Sequence, residues 1–518
     1  MSPLLLLGVF CIYTLLIFVI SWLTSRKAND DVYYRGNRQS PWYVVAYGMI
    51  GASLSGVTFL SEPGWVKDTQ FSYMMVVLGY AVGYIVIVAV LLPLYYRLNL
   101  TSIYSYLGQR FGKWSYRTGA SFFILSRLVG SSLRMFLTVY ILYIFVFQHW
   151  GVPFFAVSLI FVVIILLYTF RGGIKTVVWT DTLQTTFMLA SVAISIFFIG
   201  REMGWGVSEI ITRVRESEYS TMLVTDWTDE RFYLKQFLSG IFITIVMTGL
   251  DQDMMQKNLT CRNLRDARKN MLSFTAILLV INLLFLSLGA VLMMYVQANG
   301  IEILESDRIF AFVAIHRLGV FAGIVFVIGL ISAAYSSADG TLTAITTSFC
   351  IDIIELDQRD IPSRRKIYVR YAVHFSVALL SLLLITGVKQ LDNTAIISRV
   401  FTIAGYTYGP LLGLYAFGLC TKRKVHDKAV PVIALLSPVV SYLLNAYSQK
   451  LLWGYKFGFE LLIVNGFITF AGLWLCRQKR DLFSAPNPDV QVEQVNEREQ
   501  FNQVAHIVSK CFRFLKRL

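Results

Sequence analysis

The chain lacks the features that mark several large classes of protein. Charged residues make up only 15% of its 518 positions, and its five histidines are scattered. Its six cysteines show no metal or redox spacing and no loop contains a pair of them: they stand at 11, 261, 350, 420, 476 and 511. No glycine-rich phosphate loop and no nucleophile–base pair is present. These absences argue against a disulfide scaffold, a metal centre, an ATP-driven pump and an enzyme.

Apolar residues are abundant instead. Hydrophobic residues make up 56% of the chain, and the mean hydropathy is +0.61. Crossing a bilayer as a helix takes about 20 apolar residues. We therefore predict an all-α polytopic membrane protein with about thirteen transmembrane helices, at 3–23, 42–62, 72–96, 119–147, 152–170, 176–200, 233–256, 270–296, 318–350, 368–388, 394–420, 429–447 and 458–476.

The distribution of basic residues predicts the orientation of these helices. The first apolar run lacks a basic leader, so we interpret it as a true span that begins outside. With the N-terminus outside, and with Lys235 and Arg370 at the ends of their spans counted with the adjoining loops, cytoplasmic segments carry 32 Lys and Arg residues and outside loops carry 11. This asymmetry follows the positive-inside rule and predicts a cytoplasmic C-terminus in a plasma membrane, of the bacterial inner-membrane type. The net charge of +15 thus reflects topology and requires no nucleic-acid partner.

The segment 479–518 is predicted to be a cytoplasmic tail. Its last part, 506–518, reads HIVSKCFRFLKRL and alternates apolar with basic residues. Such a segment suits a basic helix lying on an anionic inner leaflet. A disordered tail is the alternative, and the sequence leaves both open.

Two spans carry signals of interrupted helices. Gly48–Gly56 contains three glycines and two serines in nine residues, and Met247–Asp253 contains Gly249 followed by three polar residues within the next four. Small residues also serve helix packing, but two such segments five spans apart favour an inverted repeat. We predict a peripheral first helix and loop (1–41), two repeats and two peripheral spans: the repeats are 42–232 and 233–420, and the spans lie in 421–478.

Two further spans contain acidic residues. On the ninth span Ser336, Asp339 and Thr343 share one helix face, with Ser337 adjacent. Placing Asp at a helix centre costs roughly 2.5–3.5 kcal/mol, and hard oxygen ligands suit Na⁺. Hydroxyl groups that bond back to the preceding turn are the alternative, but that does not explain Asp339. Asp181 is the second acid, with Gln184 nearly one turn on; a structural pair with an arginine is its alternative.

The motifs that carry these residues resemble the sodium/solute symporter family, which includes the sodium/glucose, proline, iodide and sialic acid transporters. The similar motifs are GASLSGV from Gly51, WTDTLQ from Trp179, GLDQDMMQK from Gly249, SSADGT from Ser336 and GPLLGLY from Gly409. The resemblance implies a LeuT-type fold with a 5+5 inverted repeat. It also implies sodium-driven alternating access for a small-molecule solute. It does not specify the solute or an oligomeric state.

The resemblance also implies site residues. The sodium site would use the carbonyl groups of Gly51, Leu54 and Ala333 and the hydroxyl groups of Ser336 and Ser337. Asp181 matches a carboxylate of a second sodium site or an exit path, and Gln184 and Gln252 match polar positions linked to ions or substrate. Members with a second sodium ion have hydroxyl residues where this chain has Asp339 and Gly340. Asp339 is therefore predicted to join Asp181 and Gln184 in a second cation site, to accept a proton, or to contact an arginine.

The solute is predicted to be a small organic anion. Arg134 is similar in placement to an arginine that holds a carboxylate in sialic acid transporters, and Arg399 could add a second positive charge. Both could instead neutralise buried carboxylates such as Asp251. The candidate solute-binding residues are Thr58, Arg134, Asp251, Gln252, Arg399 and Tyr406, the last as a gate with Tyr408. A transporter-like solute sensor or partner subunit without net transport is the alternative function.

Overall fold

The architecture is that of a helical membrane protein, because a bilayer core forces backbone groups to bond within each segment. In the computed structural model, residues 2–25, 38–302, 305–389, 396–452 and 454–478 are described, so the predicted tail at 479–518 lies outside them. The first helices are α1 (Pro3–Ser25), α2 (Trp42–Leu54), α3 (Gly56–Thr69), α4 (Tyr73–Val86), α5 (Leu92–Arg97), α6 (Ser105–Arg110), α7 (Lys113–Leu142), α8 (Phe154–Glu202) and α9 (Val207–Glu216). The remaining helices are α10 (Tyr233–Thr244), α11 (Gln252–Leu259), α12 (Leu264–Ala298), α13 (Ile309–His316), α14 (Gly319–Ser348), α15 (Ser363–Val388), α16 (Ile396–Cys420), α17 (Val430–Leu451) and α18 (Leu461–Leu475).

The all-α prediction is confirmed, while the number of crossings is approximate. Each of the thirteen predicted segments overlaps a helix among the described residues. Within the described ranges, eight helical segments are long and apolar enough to cross a membrane alone, or nine with one bent pair. Shorter apolar helices, such as α18, add to these. Helices α9 and α13 lie between predicted segments and were not among them.

The predicted spans 152–170 and 176–200 lie in one helical stretch, α8, which bends sharply. Tyr168 Oη donates to Asp339 Oδ2 at 3.0 Å, and Thr180 Oγ1 donates to the same oxygen at 3.3 Å. A straight helix would separate residues 168 and 180 by about 18 Å, which is too far for both side chains to reach one atom. The direction of the chain therefore changes between them, as two crossings require.

The first predicted helix interruption lies at Ser55. Helix α2 ends at Leu54 and α3 begins at Gly56, with Ser55 between them at φ 25° and ψ 170°. This conformation is rarely adopted by a residue with a side chain and stores local strain. The carbonyl groups in the last turn of α2 lack partners within that helix, so they are available to a cation.

The second interruption separates α10 from α11. A π-helical turn at Ile245–Gly249 follows α10, and the two parts of the span meet at 63°. Asp251 caps α11 by accepting a hydrogen bond from Met254 N at 3.2 Å. The capping carboxylate explains why the helix restarts at this point.

Helix α14 lies at the centre of the structure. It packs against α8, α7, α1 and α2, and all its side chains from Gly329 to Ser348 are buried. Helix α16 packs against α18 and α7. The arrangement brings the end of α2, the start of α11 and the polar face of α14 together in the protein interior.

Candidate ion and solute site

The five predicted sodium ligands lie where α2 meets α14. Gly51 and Leu54 are buried in the last turn of α2, and Ala333, Ser336 and Ser337 are buried on α14. The two helices are close, because a Cβ atom placed on Gly51 would lie 3.3 Å from Ser336 Oγ and 2.3 Å from Thr185 Oγ1. Glycine is thus needed for this approach. The negative end of the α2 dipole also points towards the site, which favours a cation.

The two serine hydroxyl groups differ in their partners. Ser336 Oγ donates to Asp181 Oδ1 at 2.5 Å, which leaves the oxygen lone pairs of Ser336 free to face a cation. Ser337 Oγ is buried and has no hydrogen-bond partner among the described residues. A buried hydroxyl group without a partner is unfavourable unless a ligand contacts it. The pair therefore has the properties of one half of a site for a small cation.

A buried lysine next to the end of the predicted span 233–256 lies beside this site. Lys257 is 1% exposed, and its Nζ lies 2.8 Å from Asp181 Oδ2 and 3.4 Å from Asp253 Oδ1. Glycine at position 340 leaves room for it, since a Cβ atom there would lie 3.0 Å from Lys257 Nζ. Lys257 is buried on α11, so this span continues beyond its predicted end at residue 256. Its spacing of four residues from Asp253 on a helix was the available signal.

Arg127 completes a buried charge network around the start of α11. Its guanidinium group contacts Asp253 directly and lies 3.6 Å from Asp251 Oδ2. Asp251 also accepts a hydrogen bond from Tyr408 Oη at 2.6 Å. Asp251 is therefore bound to protein groups, and we no longer assign it to the solute. The alternative that arginines neutralise buried carboxylates applies to Arg127.

The structure shows only some of the properties expected of the predicted second cation site. Asp339 accepts hydrogen bonds from Tyr168, Thr180 and the Gly340 backbone N–H, the last at 2.6 Å. No lysine or arginine of the described residues forms a salt bridge with it, so it does not contact an arginine there. Both amide atoms of Gln184 are buried without a described hydrogen-bond partner. Asp181, by contrast, already has the ammonium group of Lys257.

A cavity of about 90 Å³ lies next to the sodium ligands, at the Ser55 break. Thr58 and Arg134 line it, together with Ser53, Tyr80, Thr248 and Asn282. No carboxylate of the described residues lies within salt-bridge distance of Arg134, whereas Arg127, on the same cavity wall, is neutralised. The cavity thus contains an uncompensated positive charge, as a site for an organic anion requires.

Three predicted solute residues lie elsewhere. Gln252 accepts from Ile103 N and donates to Thr101 O at 3.0 and 2.9 Å, so its amide group holds the turn before α6. Tyr406 accepts from Asn445 on α17 at 2.9 Å and faces away from the cavity. Arg399 does not line the cavity, although its neighbours Val400 and Phe401 do. The sequence could not distinguish these helix faces, because both are buried against protein.

An aromatic layer lies between the cavity and a second space of about 490 Å³, which we call the vestibule. It consists of Trp65, Tyr73, Phe401 and Phe459, whose neighbouring ring centroids lie 4.9–6.2 Å apart. Tyr73 lines both spaces. Charged loop residues line the vestibule, where a hydrogen bond from Arg231 lowers the pKa of Asp229. We call this group of four rings the outer gate, where outer means the vestibule side of the cavity.

Comparisons with known proteins agree with this geometry. A sequence model of the sodium:solute symporter family matches residues 33–430. The sodium/sialic acid symporter NanT of Aliivibrio fischeri is 22% identical over 468 residues, covering 86% of this chain and 89% of NanT. The human sodium/iodide cotransporter is 25% identical over 413 residues, covering 76% of this chain and 61% of its own.

Solved structures show the same fold. A sodium-coupled sialic acid symporter, in a substrate-bound outward-open state, superposes with a TM-score of 0.78 at 20% identity, covering 91% of this chain and 97% of the other. The nucleobase-cation-symport transporter Mhp1, in a closed conformation, gives a TM-score of 0.54 at 12% identity and covers 85% of this chain and 93% of its own. The expected LeuT-type fold is therefore confirmed.

Proposed function

The chain belongs to the sodium:solute symporter family, and we propose that it imports a small organic anion together with sodium across the plasma membrane by alternating access. Membership makes it a multi-pass secondary transporter that binds a small solute, and not an enzyme. The proposal goes further in stating that the solute carries a carboxylate group. It rests on Arg134, which lines the central cavity without a described carboxylate partner.

The proposed sodium site consists of the groups that meet between α2 and α14. Gly51, Leu54 and Ala333 would contribute carbonyl oxygens, and Ser336 and Ser337 would contribute hydroxyl oxygens. The unpartnered hydroxyl of Ser337 supports this assignment, as does the hydrogen bond that orients Ser336. Asp181 acts in this proposal as a positioning residue that holds the Ser336 hydroxyl.

The proposed orientation places the N-terminus outside and the C-terminus in the cytoplasm. The excess of basic residues in the predicted cytoplasmic segments supports it. In this orientation the outer gate and vestibule face the exterior, and the charge network around Lys257 faces the cytoplasmic side of the sodium site. Solute and sodium would then enter from the vestibule.

Uptake by purified protein in proteoliposomes tests the function. We expect uptake of at least one member of a panel of monocarboxylates and acidic sugars, with neutral sugars as the control, when sodium is present outside. Replacing sodium by choline should abolish that uptake. Carboxylate uptake that ignores the sodium gradient would refute the coupling. Binding of a panel member without counterflow would instead favour the solute sensor.

A further inference from the structure

Glu62 on α3 is a buried carboxyl group that the proposed mechanism does not use. Its side chain is 1% exposed, and neither carboxyl oxygen has a hydrogen-bond partner among the described residues. No described lysine or arginine forms a salt bridge with it either. Buried polar groups are nearly always hydrogen-bonded, so an isolated one requires an explanation.

The position of Glu62 connects it with the outer gate. Thr58, Glu62, Trp65 and Thr69 follow one another on a single face of α3, at intervals of four, three and four residues. Thr58 lines the central cavity, whereas Trp65 and Thr69 line the vestibule. Glu62 therefore lies about 6 Å along the helix axis from Thr58 and about 4.5 Å from Trp65. This is the level at which the outer gate closes.

The titratable and charged groups around α3 do not neutralise Glu62. On α4, the hydroxyl groups of Tyr73 and Tyr80 bond to each other at 3.0 Å. Beside the outer part of α3, Asp307 accepts from Ile396 N, and Arg308 pairs with Glu305. Helices α7, α14 and α16 also pack against α3. They contribute Arg127 and Asp339, which have other partners, Arg134, which lines the cavity, and Arg399, whose charge acts on Asp307. The rings of Phe285, Phe310 and Phe326 surround Phe59 of α3.

An ionised carboxylate in such a place is strongly disfavoured. Removing a carboxylate from water carries a penalty of several kcal/mol unless a cation or several hydrogen bonds replace the water. The described residues offer neither to Glu62. When the rings of the outer gate separate, the shared helix face places Glu62 next to water entering from the vestibule. Water stabilises the carboxylate, so opening and proton release favour each other.

We propose that Glu62 is a proton-binding site of the outer gate, which carries a proton while the gate is closed and releases it to the outside when the gate opens. The linkage is reciprocal: a high external pH favours the open, ionised gate and opposes closure over the bound solute. The proposal goes beyond sodium coupling and uses the proposed transport as its readout.

Uptake as a function of external pH tests the site. At fixed sodium and solute concentrations, we expect wild-type uptake in proteoliposomes to fall by up to tenfold for each pH unit at alkaline external pH, as loss of a single required proton dictates. Glu62→Gln keeps the shape and remains uncharged, so its uptake should change less than twofold from pH 5.5 to 8.5. Glu230→Gln is the matched control, since Glu230 is exposed and lines the vestibule. It should keep the wild-type profile.

A second variant covers the case in which Glu62→Gln does not fold. Glu62→Met removes the carboxyl group and leaves no hydrogen-bond partner unpaired, and it should show the same flat profile. The proposal is overturned if wild-type uptake is sodium-dependent but flat in pH, or if both Glu62 variants retain the wild-type profile. If uptake by the wild-type protein does not depend on sodium, that result counts against the proposed function instead.

Discussion

The ion pair between Lys257 and Asp181 allows a quantitative test of the charge network. Its N–O distance is 2.8 Å with the two side chains 1% and 0% exposed, while Arg213 and Glu209 on α9 lie 2.7 Å apart and are 48% and 42% exposed. The two pairs thus differ in burial and not in length. At an effective dielectric constant of about 20, attraction over 2.8 Å amounts to ~6 kcal/mol before desolvation is subtracted.

Removing one partner should therefore have very different effects at the two pairs. At the buried pair, Lys257→Gln leaves Asp181 without a cation, and we expect a loss of about 3–5 kcal/mol of stability. Asp181→Asn leaves Lys257 with a second carboxylate, Asp253, at 3.4 Å, so its effect should be smaller. The double variant should be more stable than the sum of the single effects predicts, by about 2–3 kcal/mol. At the exposed helix pair, we expect a coupling of only about 0.3–0.5 kcal/mol.

Unfolding in detergent, followed by intrinsic fluorescence, measures these differences on the full chain. The two double-mutant cycles use Lys257→Gln with Asp181→Asn and Arg213→Gln with Glu209→Gln. Both cycles replace charged groups by amides, so the exposed pair controls for the chemistry of the substitution. Additive effects at Lys257 and Asp181 would refute the claim that burial gives this pair its strength.

Two further predictions concern the ligands themselves. Ser337→Ala should raise the half-saturating sodium concentration about tenfold, because one neutral ligand contributes roughly 1–1.5 kcal/mol. The hydroxyl group of Ser158 only bonds back to Phe154 O, so Ser158→Ala should leave that concentration unchanged. If the two variants have equal effects in sodium titrations of uptake, the sodium site lies elsewhere. Arg134→Lys should raise KM for the carboxylate solute at least tenfold, because the charge remains but the two-pronged guanidinium group is lost, and Arg134→Gln should abolish uptake; an unchanged KM in Arg134→Lys would argue that Arg134 does not hold the carboxylate.

The crossings and both helix interruptions could be predicted because their causes are local. A run of apolar residues specifies a span whatever its neighbours are. The glycines and serines around Ser55 weaken helix formation in place, and so does Gly249 before Asp251. The polar group at Ser336 and Ser337 could also be predicted from the sequence, since hydroxyl groups and an acid on one face of an apolar helix are unusual.

The charge network could not be predicted, because its partners are distant in the sequence. Asp181 and Lys257 are 76 positions apart, and Arg127 and Asp253 are 126 apart. The four-residue spacing of Lys257 from Asp253 is a local signal, but the same spacing occurs on exposed helix faces, so it does not show that the lysine is buried. Likewise, Tyr406 and Tyr408 differ by two positions on a helix, so they point to different sides. Only the packing of α16 against α18 and α7 determines that Tyr408 meets Asp251.

The composition of the network gives a physical reason for sodium to bind before an anion. Four carboxyl groups and two cations lie buried together among the described residues: Asp181, Asp251, Asp253 and Asp339, with Arg127 and Lys257. Hydrogen bonds from Tyr168 and Tyr408 offset part of this negative excess. A sodium ion at Ser336 and Ser337 would offset more of it. Since the cavity with Arg134 adjoins the proposed sodium site, a bound sodium ion would lower the repulsion that an entering anion meets, and in our proposal the attraction between the two ions is the coupling.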